Sequence, residues 1–223
     1  MKLPSAQINV QLNSGVASDD ASRRLVSYQS SVQLQTGLAS IQSAIMRHIV
    51  MDTETTGLIA NTGRALAIQP RVIELCAFVF NDKGKVMEAF DELFDPGEDI
   101  SAKITEITSL TNDDLRGKPS FNDRASDVRS FLGKGDVIIA HNLSFDMEMI
   151  DNEMRRSELP DVDWPRKKIC TVEQTRHIKG FNLNLGALHE LLFGEKHENA
   201  HRAEADVKAL ARCYFELKRR GDL

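Results

Sequence analysis

Four acidic residues and one histidine, spread over three short segments, have the types and spacing needed to hold divalent cations and to move a proton. Asp52 and Glu54 stand two apart after the apolar run Ile49 to Met51, and an i, i+2 pair on an extended strand projects from one face. Two acids at a strand end are often merely solvated, but these follow a run of the kind a central strand carries. Carboxylate oxygens are the ligands that hard cations such as Mg2+ and Mn2+ prefer. Asp146 falls in the first turn of a predicted helix, just after the apolar run Val137 to Ala140. The helix dipole alone would favour an acid there, yet the space beyond a strand end is also where ligands gather in open α/β sheets. His201 and Asp206 are five apart, roughly 140° around a helix, so they do not share a face. His201 is therefore expected in a loop, where an imidazole of ordinary pKa, about 6.5, can accept a proton from water. Asp206 stands beside Val207 and one turn before Leu210, a place from which it can face a sheet.

The elements that must position these groups follow from periodicity. Ile49 to Asp52 and Val72 to Phe80 read as buried strands, and the turn Asn81-Asp82-Lys83-Gly84 leads into a third, Val86 to Phe94. Short helical stretches are expected around Ile104 to Leu115, followed by a helix over Phe121 to Leu132 and a buried strand at Val137 to Ile139. Ser144 is positioned to cap a helix running to about Ser157, Leu183 to Phe193 reads as another, and Ala203, Val207, Leu210, Tyr214 and Leu217 form one face of a last helix. Strands first, then mixed strand and helix, predicts an α/β or α+β arrangement with helices flanking one mixed sheet. Residues 1 to 44, rich in Ser, Gln and Asn, read as a polar N-terminal extension, and the domain proper is expected over 45–223. Leu34, Leu38, Ile41 and Ile45 could make one amphipathic helix at the end of that extension.

Composition sets few limits. With 41% hydrophobic and 27% charged residues the chain is not wholly disordered, and 223 residues favour one core with an appendage. The 28 Lys and Arg against 33 Asp and Glu, net −5, argue against blanket electrostatic attraction to nucleic acid. Bound cations would reverse the sign locally and attract phosphate. Three widely separated cysteines suggest neither disulfides nor a cysteine zinc site, which fits a reducing cytoplasm. No stretch approaches a membrane span, and the first residues lack the apolar core of a signal peptide.

The segments Asp52-Thr53-Glu54-Thr55-Thr56-Gly57, His141-Asn142-Leu143-Ser144-Phe145-Asp146 and His201-Arg202-Ala203-Glu204-Ala205-Asp206 together resemble the three motifs of the DEDDh, or DnaQ-like, exonucleases, in order and approximate spacing. The resemblance runs from about residue 46 to the C-terminus and is nearest to the exonuclease core of the bacterial polymerase III epsilon subunit. It implies a ribonuclease H-like, mixed five-stranded sheet flanked by helices, and hydrolysis from the 3′ end to nucleoside 5′-monophosphates. It further implies that Asp52, Glu54, Asp146 and Asp206 hold two Mg2+ or Mn2+ ions and that His201 is the base for the attacking water. Thr55, Thr56, Gly57, Leu58, His141, Asn142 and Phe145 become candidate substrate contacts. Of these, His141 and Asn142 are read mainly as shaping a turn, and for Leu58 and Phe145 plain core packing competes. Glu74, in the second strand, is expected to support the site rather than act directly. Two departures stand out: a long insertion, Leu58 to Arg71, and Cys76 where a glycine is common. The implied substrate is the 3′ end of a single strand, DNA favoured over RNA, with association to a polymerase open. A polymerase-associated binding module without activity is the alternative of a different class, which the intact acids disfavour.

Two other signals compete. His197-Glu198-Asn199-Ala200-His201 matches the zinc-protease pattern His-Glu-x-x-His, but that pattern needs a continuous helix and a third ligand, and Gly194 and Asn199 oppose the helix. Arg166, Lys167, Lys168, Arg176 and Lys179 could track a strand's phosphates or form an ordinary solvated surface.

Overall fold

A computed structural model describes residues 46–59, 65–197 and 202–223. The expected extension over residues 1 to 44, with its candidate helix, lies outside the described residues, as does His201.

Five strands form one mixed sheet in the order β3-β2-β1-β4-β5: β1 (His48–Thr55), β2 (Val72–Phe80), β3 (Val86–Leu93), β4 (Val137–Ala140) and β5 (Lys167–Cys170). β1 runs antiparallel to β2 and parallel to β4, so the two neighbours of the acid-bearing strand have opposite directions. Every residue of β2 and β4 is buried, because both faces are covered, and this is why they read as continuous apolar runs. β1 reaches further than the apolar run suggests and includes Asp52 and Glu54 within the strand.

Helices cover both faces. On one, α3 (Phe121–Leu132) and α4 (Leu143–Arg156) pack Val128, Leu132, Met149 and Ile150 against Ile49, Met51, Leu75 and Ala77. On the other, α8 (Ala203–Arg220) packs Val207, Leu210 and Tyr214 against Val50, Cys76 and Phe78. The alternation along β1 therefore sends Ile49 and Met51 to α4 and Val50 to α8, and the same two-residue period carries Asp52 and Glu54 to the α8 side. Shorter helices complete the chain: α1 (Ala102–Thr108), α2 (Asn112–Leu115), α5 (Thr171–Gln174), α6 (Arg176–Lys179) and α7 (Leu185–Phe193). Gly135 lets β4 come close to β1: a Cβ there would fall 2.7 Å from Ile49 Cδ1.

Local signals explain where these helices start. Ser120 and Asp123 form a capping box that opens α3, and the Asn184 side chain accepts from Ala187 N at the head of α7. The expected Ser144 cap is not formed. α4 begins two residues earlier than a Ser144 cap would place it, at Leu143, whose burial against the core draws the first turn forward, and Asn142 takes the cap position without a side-chain bond. β5 carries exposed Lys167 and Lys168 and buries only Ile169 and Cys170, so its strand pattern is hidden.

The insertion between β1 and β2 is closed at its base. Thr56 N–H donates to Arg71 O and Arg71 N–H donates to Thr56 Oγ1, both at 2.9 Å. Glu153 of α4, 1% exposed, accepts from Arg71 Nε, Val72 N and Arg156 Nη1, while Arg156 also donates to Leu66 O, Gln69 O and Pro70 O. Two guanidinium groups thus clamp the returning arm of the insertion to α4. Among the described residues no helix is long and apolar enough to cross a membrane.

Candidate active site

Asp52 and Glu54 leave β1 on the α8 face, where Asp206, in the first turn of α8, meets them. Carboxylate oxygens of the three lie within 4.8 Å of one another. Asp146 approaches from the head of α4, 3% exposed, and its Oδ1 accepts from Thr53 N at 3.1 Å and Thr53 Oγ1 at 2.8 Å. Thr53 is the residue between the two strand acids, so β1 presents acids to one face and anchors Asp146 through the residue of the other. Asp52, Glu54 and Asp206 thus meet at the C-terminal end of β1, and Asp146 is tied to Thr53 between the first two.

The cluster is electrostatically costly without a counter-charge. Burial raises the Asp52 carboxyl well above the usual range, and Asp146, Asp206, Glu54 and Glu74 add repulsion. Burial followed by repulsion from Asp206, Glu74 and Asp146 pushes Glu54 up to about 8, with Arg202 opposing. Burial also raises Asp146, against which the two Thr53 hydrogen bonds work. Like carboxylates forced together in a partly buried site favour a proton or a cation. An all-oxygen donor set of this kind fits a hard divalent ion.

Glu74 faces Glu54 directly across the β1–β2 pair, an unfavourable match of like charges. It is compensated by residues 128 positions away: Arg202 donates to both Glu74 oxygens, at 3.0 and 3.3 Å, and Ala203 N–H donates to Glu74 Oε2 at 3.2 Å. Arg202 is the N-cap of α8 and supplies no side-chain cap bond, so the buried Glu74 carboxylate serves the first orphan N–H and lies at the favourable end of the dipole. The signal for this in sequence is a glutamate within an apolar run, which must find a cation or lose its charge. Glu74→Leu is expected to lower unfolding stability by about 1–3 kcal/mol by leaving Ala203 N–H buried without an acceptor. Glu74→Gln, which keeps an acceptor and relieves Glu54, should cost much less; paired urea titrations measure the difference.

The remaining candidate contacts divide. Thr55 Oγ1 donates to Gly57 O at 2.8 Å and Thr56 Oγ1 accepts from Arg71, so both hydroxyls shape the exit from β1, with Gly57 against Pro70. Leu58 is 85% exposed and is not a core residue. Phe145 is half-buried against the α4-side core. Both His141 nitrogens are occupied, Nδ1 by Thr171 Oγ1 at 2.9 Å and Nε2 by Leu183 O at 3.1 Å. This histidine ties the end of β4 to the segments that follow β5 rather than bonding within the turn it was expected to shape. Asn142 is exposed beside it. Of the basic cluster, Lys167 pairs with Val137, which pairs with His48, four residues before Asp52. At about 3.3 Å per residue that places Arg166 to Lys168 roughly 13 Å towards the opposite end of the sheet, away from the acids.

His197, half of the zinc-like pattern, is not in a helix; its Nε2 lies 2.6 Å from Asp206 Oδ1. Sequence reasoning missed this contact and the Glu74–Arg202 pair.

The RNase T exonuclease family model matches residues 49–214. The chain is 31% identical over 176 residues to a PolC-type DNA polymerase III of Lacticaseibacillus paracasei, and 32% identical over 170 residues to one of Streptococcus thermophilus. These alignments cover 79% and 75% of this chain but only 12% and 11% of the relatives, so the chain spans about an eighth or less of their length. Among solved structures, E. coli exonuclease I in complex with a dT13 oligonucleotide superposes with a TM-score of 0.63 at 21% identity, over 78% of this chain and 41% of that one. The nuclease domain of 3′hExo, a DEDDh family member bound to rAMP, superposes with a TM-score of 0.65 at 15% identity, over 80% and 94%. A family match over residues 49–214, on a sheet that brings Asp52 and Glu54 of the first motif together with Asp206 of the third, makes this chain a member of the RNase T exonuclease family.

Proposed function

We propose that this domain hydrolyses single-stranded DNA from its 3′ end, releasing nucleoside 5′-monophosphates, with two Mg2+ or Mn2+ ions held by Asp52, Glu54, Asp146 and Asp206. The observation that carries the reading is the meeting of Asp52, Glu54 and Asp206 oxygens within 4.8 Å, with Asp146 fixed beside them by Thr53. When bound, such ions activate water and stabilise a leaving oxygen in phosphodiester hydrolysis. The chain's own groups do the rest. Asp52 and Glu54, on one rigid strand, fix the reaction centre relative to the sheet, and Asp146 and Asp206 close it from the two helix N-termini. His201 takes the proton of the attacking water. The exposed Leu58 side chain, just beyond Gly57 at the strand exit, packs on the terminal base, and Phe145 borders its sugar. Thr55, Thr56, Gly57, His141 and Asn142 hold the walls of that pocket in place.

DNA is favoured because the more similar sequences are DNA polymerases, and their naming also supports a replicative, proofreading or processing role in the cytoplasm, in association with a polymerase. Trimming of RNA 3′ ends is the competing reading, supported by the rAMP-bound neighbour. Matched DNA and RNA oligonucleotides labelled at the 5′ end, incubated with Mg2+, Mn2+ or EDTA, separate these. Stepwise shortening from the 3′ end, faster on DNA, stopped by EDTA and strongly slowed by His201→Ala, is the expected result. Internal cuts, or digestion that survives EDTA, would overturn the reading.

A further inference from the structure

His197 belongs to the motif that sequence alone reads as a zinc pattern, yet its ring is spent on a carboxylate. Its Nε2 lies 2.6 Å from Asp206 Oδ1, and the two side chains are only 6% and 11% exposed. A carboxylate that ligates a cation can only accept, so with Asp206 in that role the ring nitrogen donates.

We propose that His197 is a positioning residue for Asp206: its hydrogen bond fixes the orientation in which the carboxylate meets a divalent cation shared with Asp52 and Glu54. The inference rests on the cation reading of the acid cluster.

Two sets of contacts make the arrangement rigid. The His197 ring packs near that of His189, centroids 6.1 Å apart, and His189 is itself held at both nitrogens, by Glu195 O at 3.0 Å and Arg212 Nη1 at 3.1 Å. Arg212 in turn donates to Glu195 Oε1 at 2.8 Å, closing a small network between α7, the segment after it and α8. At the backbone, the start of α8 is fixed to β2 by Glu74, three residues before Asp206. Asp206 is therefore fixed both where its helix begins and at its side chain. Partners that orient a metal ligand in this way commonly matter tenfold to a hundredfold in ion affinity, because an unrestrained carboxylate must be ordered when the ion binds.

The test is Mn2+ binding to the full chain, followed by calorimetry and by the electron paramagnetic resonance of free Mn2+, for the parent, His197→Ala and His197→Gln. The alanine variant is expected to bind Mn2+ roughly ten- to a hundredfold more weakly, and glutamine, whose amide can donate to the same oxygen, to recover part of the loss. Nuclease turnover of His197→Ala should return towards the parent as Mn2+ is raised. Parental Mn2+ affinity in His197→Ala would overturn the proposal. So would a turnover defect that no Mn2+ concentration relieves while affinity is unchanged, which would make His197 the proton acceptor itself. Circular dichroism of each variant guards against misfolding, and the glutamine variant keeps the test decisive if alanine unfolds. A parent that binds Mn2+ but digests no oligonucleotide would remove the nuclease reading and leave the positioning inference standing.

Discussion

Asp52→Asn is expected to lower the rate of 3′-end digestion by on the order of a thousandfold or more. A bound cation contributes several kcal/mol to the stabilisation of charge in the transition state, and each 1.4 kcal/mol is a factor of ten. Asp52 is the strand acid most surrounded by others, with Asp146, Asp206, Glu54 and Glu74 all repelling it. Removing its charge weakens the hold on the cation, while the metal-free protein should be no less stable than the parent, because a buried repulsion is relieved. Single-turnover digestion and urea unfolding in EDTA, on the same preparations, measure both halves. A variant that is inactive because it is unfolded would fail the second half and discard the explanation.

The acid cluster should make metal-free stability fall as pH rises from about 4 to about 8, offset in part near pH 6 by His48 and His141, whose burial lowers their pKa and so favours folding as pH rises. The folded-state pKa of Glu54 is raised to about 8 and those of Asp52 and Asp146 are also raised, whereas the unfolded chain titrates near 4. Between those limits the folded state binds more protons than the unfolded one, so each step up in pH disfavours folding until Glu54 has ionised. Saturating Mn2+ should remove the slope, because the ion takes the place of the protons and binds only the assembled site. Melting curves at pH 5, 6, 7 and 8, with EDTA or Mn2+, are the measurement. A metal-free melting temperature that rises over that range would contradict the assigned electrostatics.

Much of this architecture is legible in the sequence because burial leaves a pattern. β2 is read at its observed bounds from a nearly continuous apolar run, and α3 from a helical apolar pattern over Phe121 to Leu132. β5 is not legible, since an edge strand whose first two residues are exposed lysines carries no apolar signal. The helix after β4 begins at Leu143 rather than behind a Ser144 cap, because tertiary packing outweighs a cap worth about 1 kcal/mol. For the site, the shared face of Asp52 and Glu54 follows from strand period, and the approach of Asp206 from its place beside the buried stripe of the last helix. The partners of the other acids do not: Thr53 with Asp146 and Arg202 with Glu74 pair across 93 and 128 residues, distances over which a single sequence shows no periodic relation. The His197 contact is hidden for a different reason, since its residue types spell a motif that belongs to other chemistry.

The reciprocal bonds between Thr56 and Arg71 make the intervening segment a ring hung on two fixed points. The entropy of closing a flexible ring grows only with the logarithm of its length, about 0.6 kcal/mol per doubling. Residues can therefore be added to or removed from the ring while Glu54 on one side and Val72 on the other keep their register. The bonds at the base of the insertion thus hold the acid-bearing end of β1 against β2, so that the register of Glu54 does not depend on which residues stand between Gly57 and Pro70.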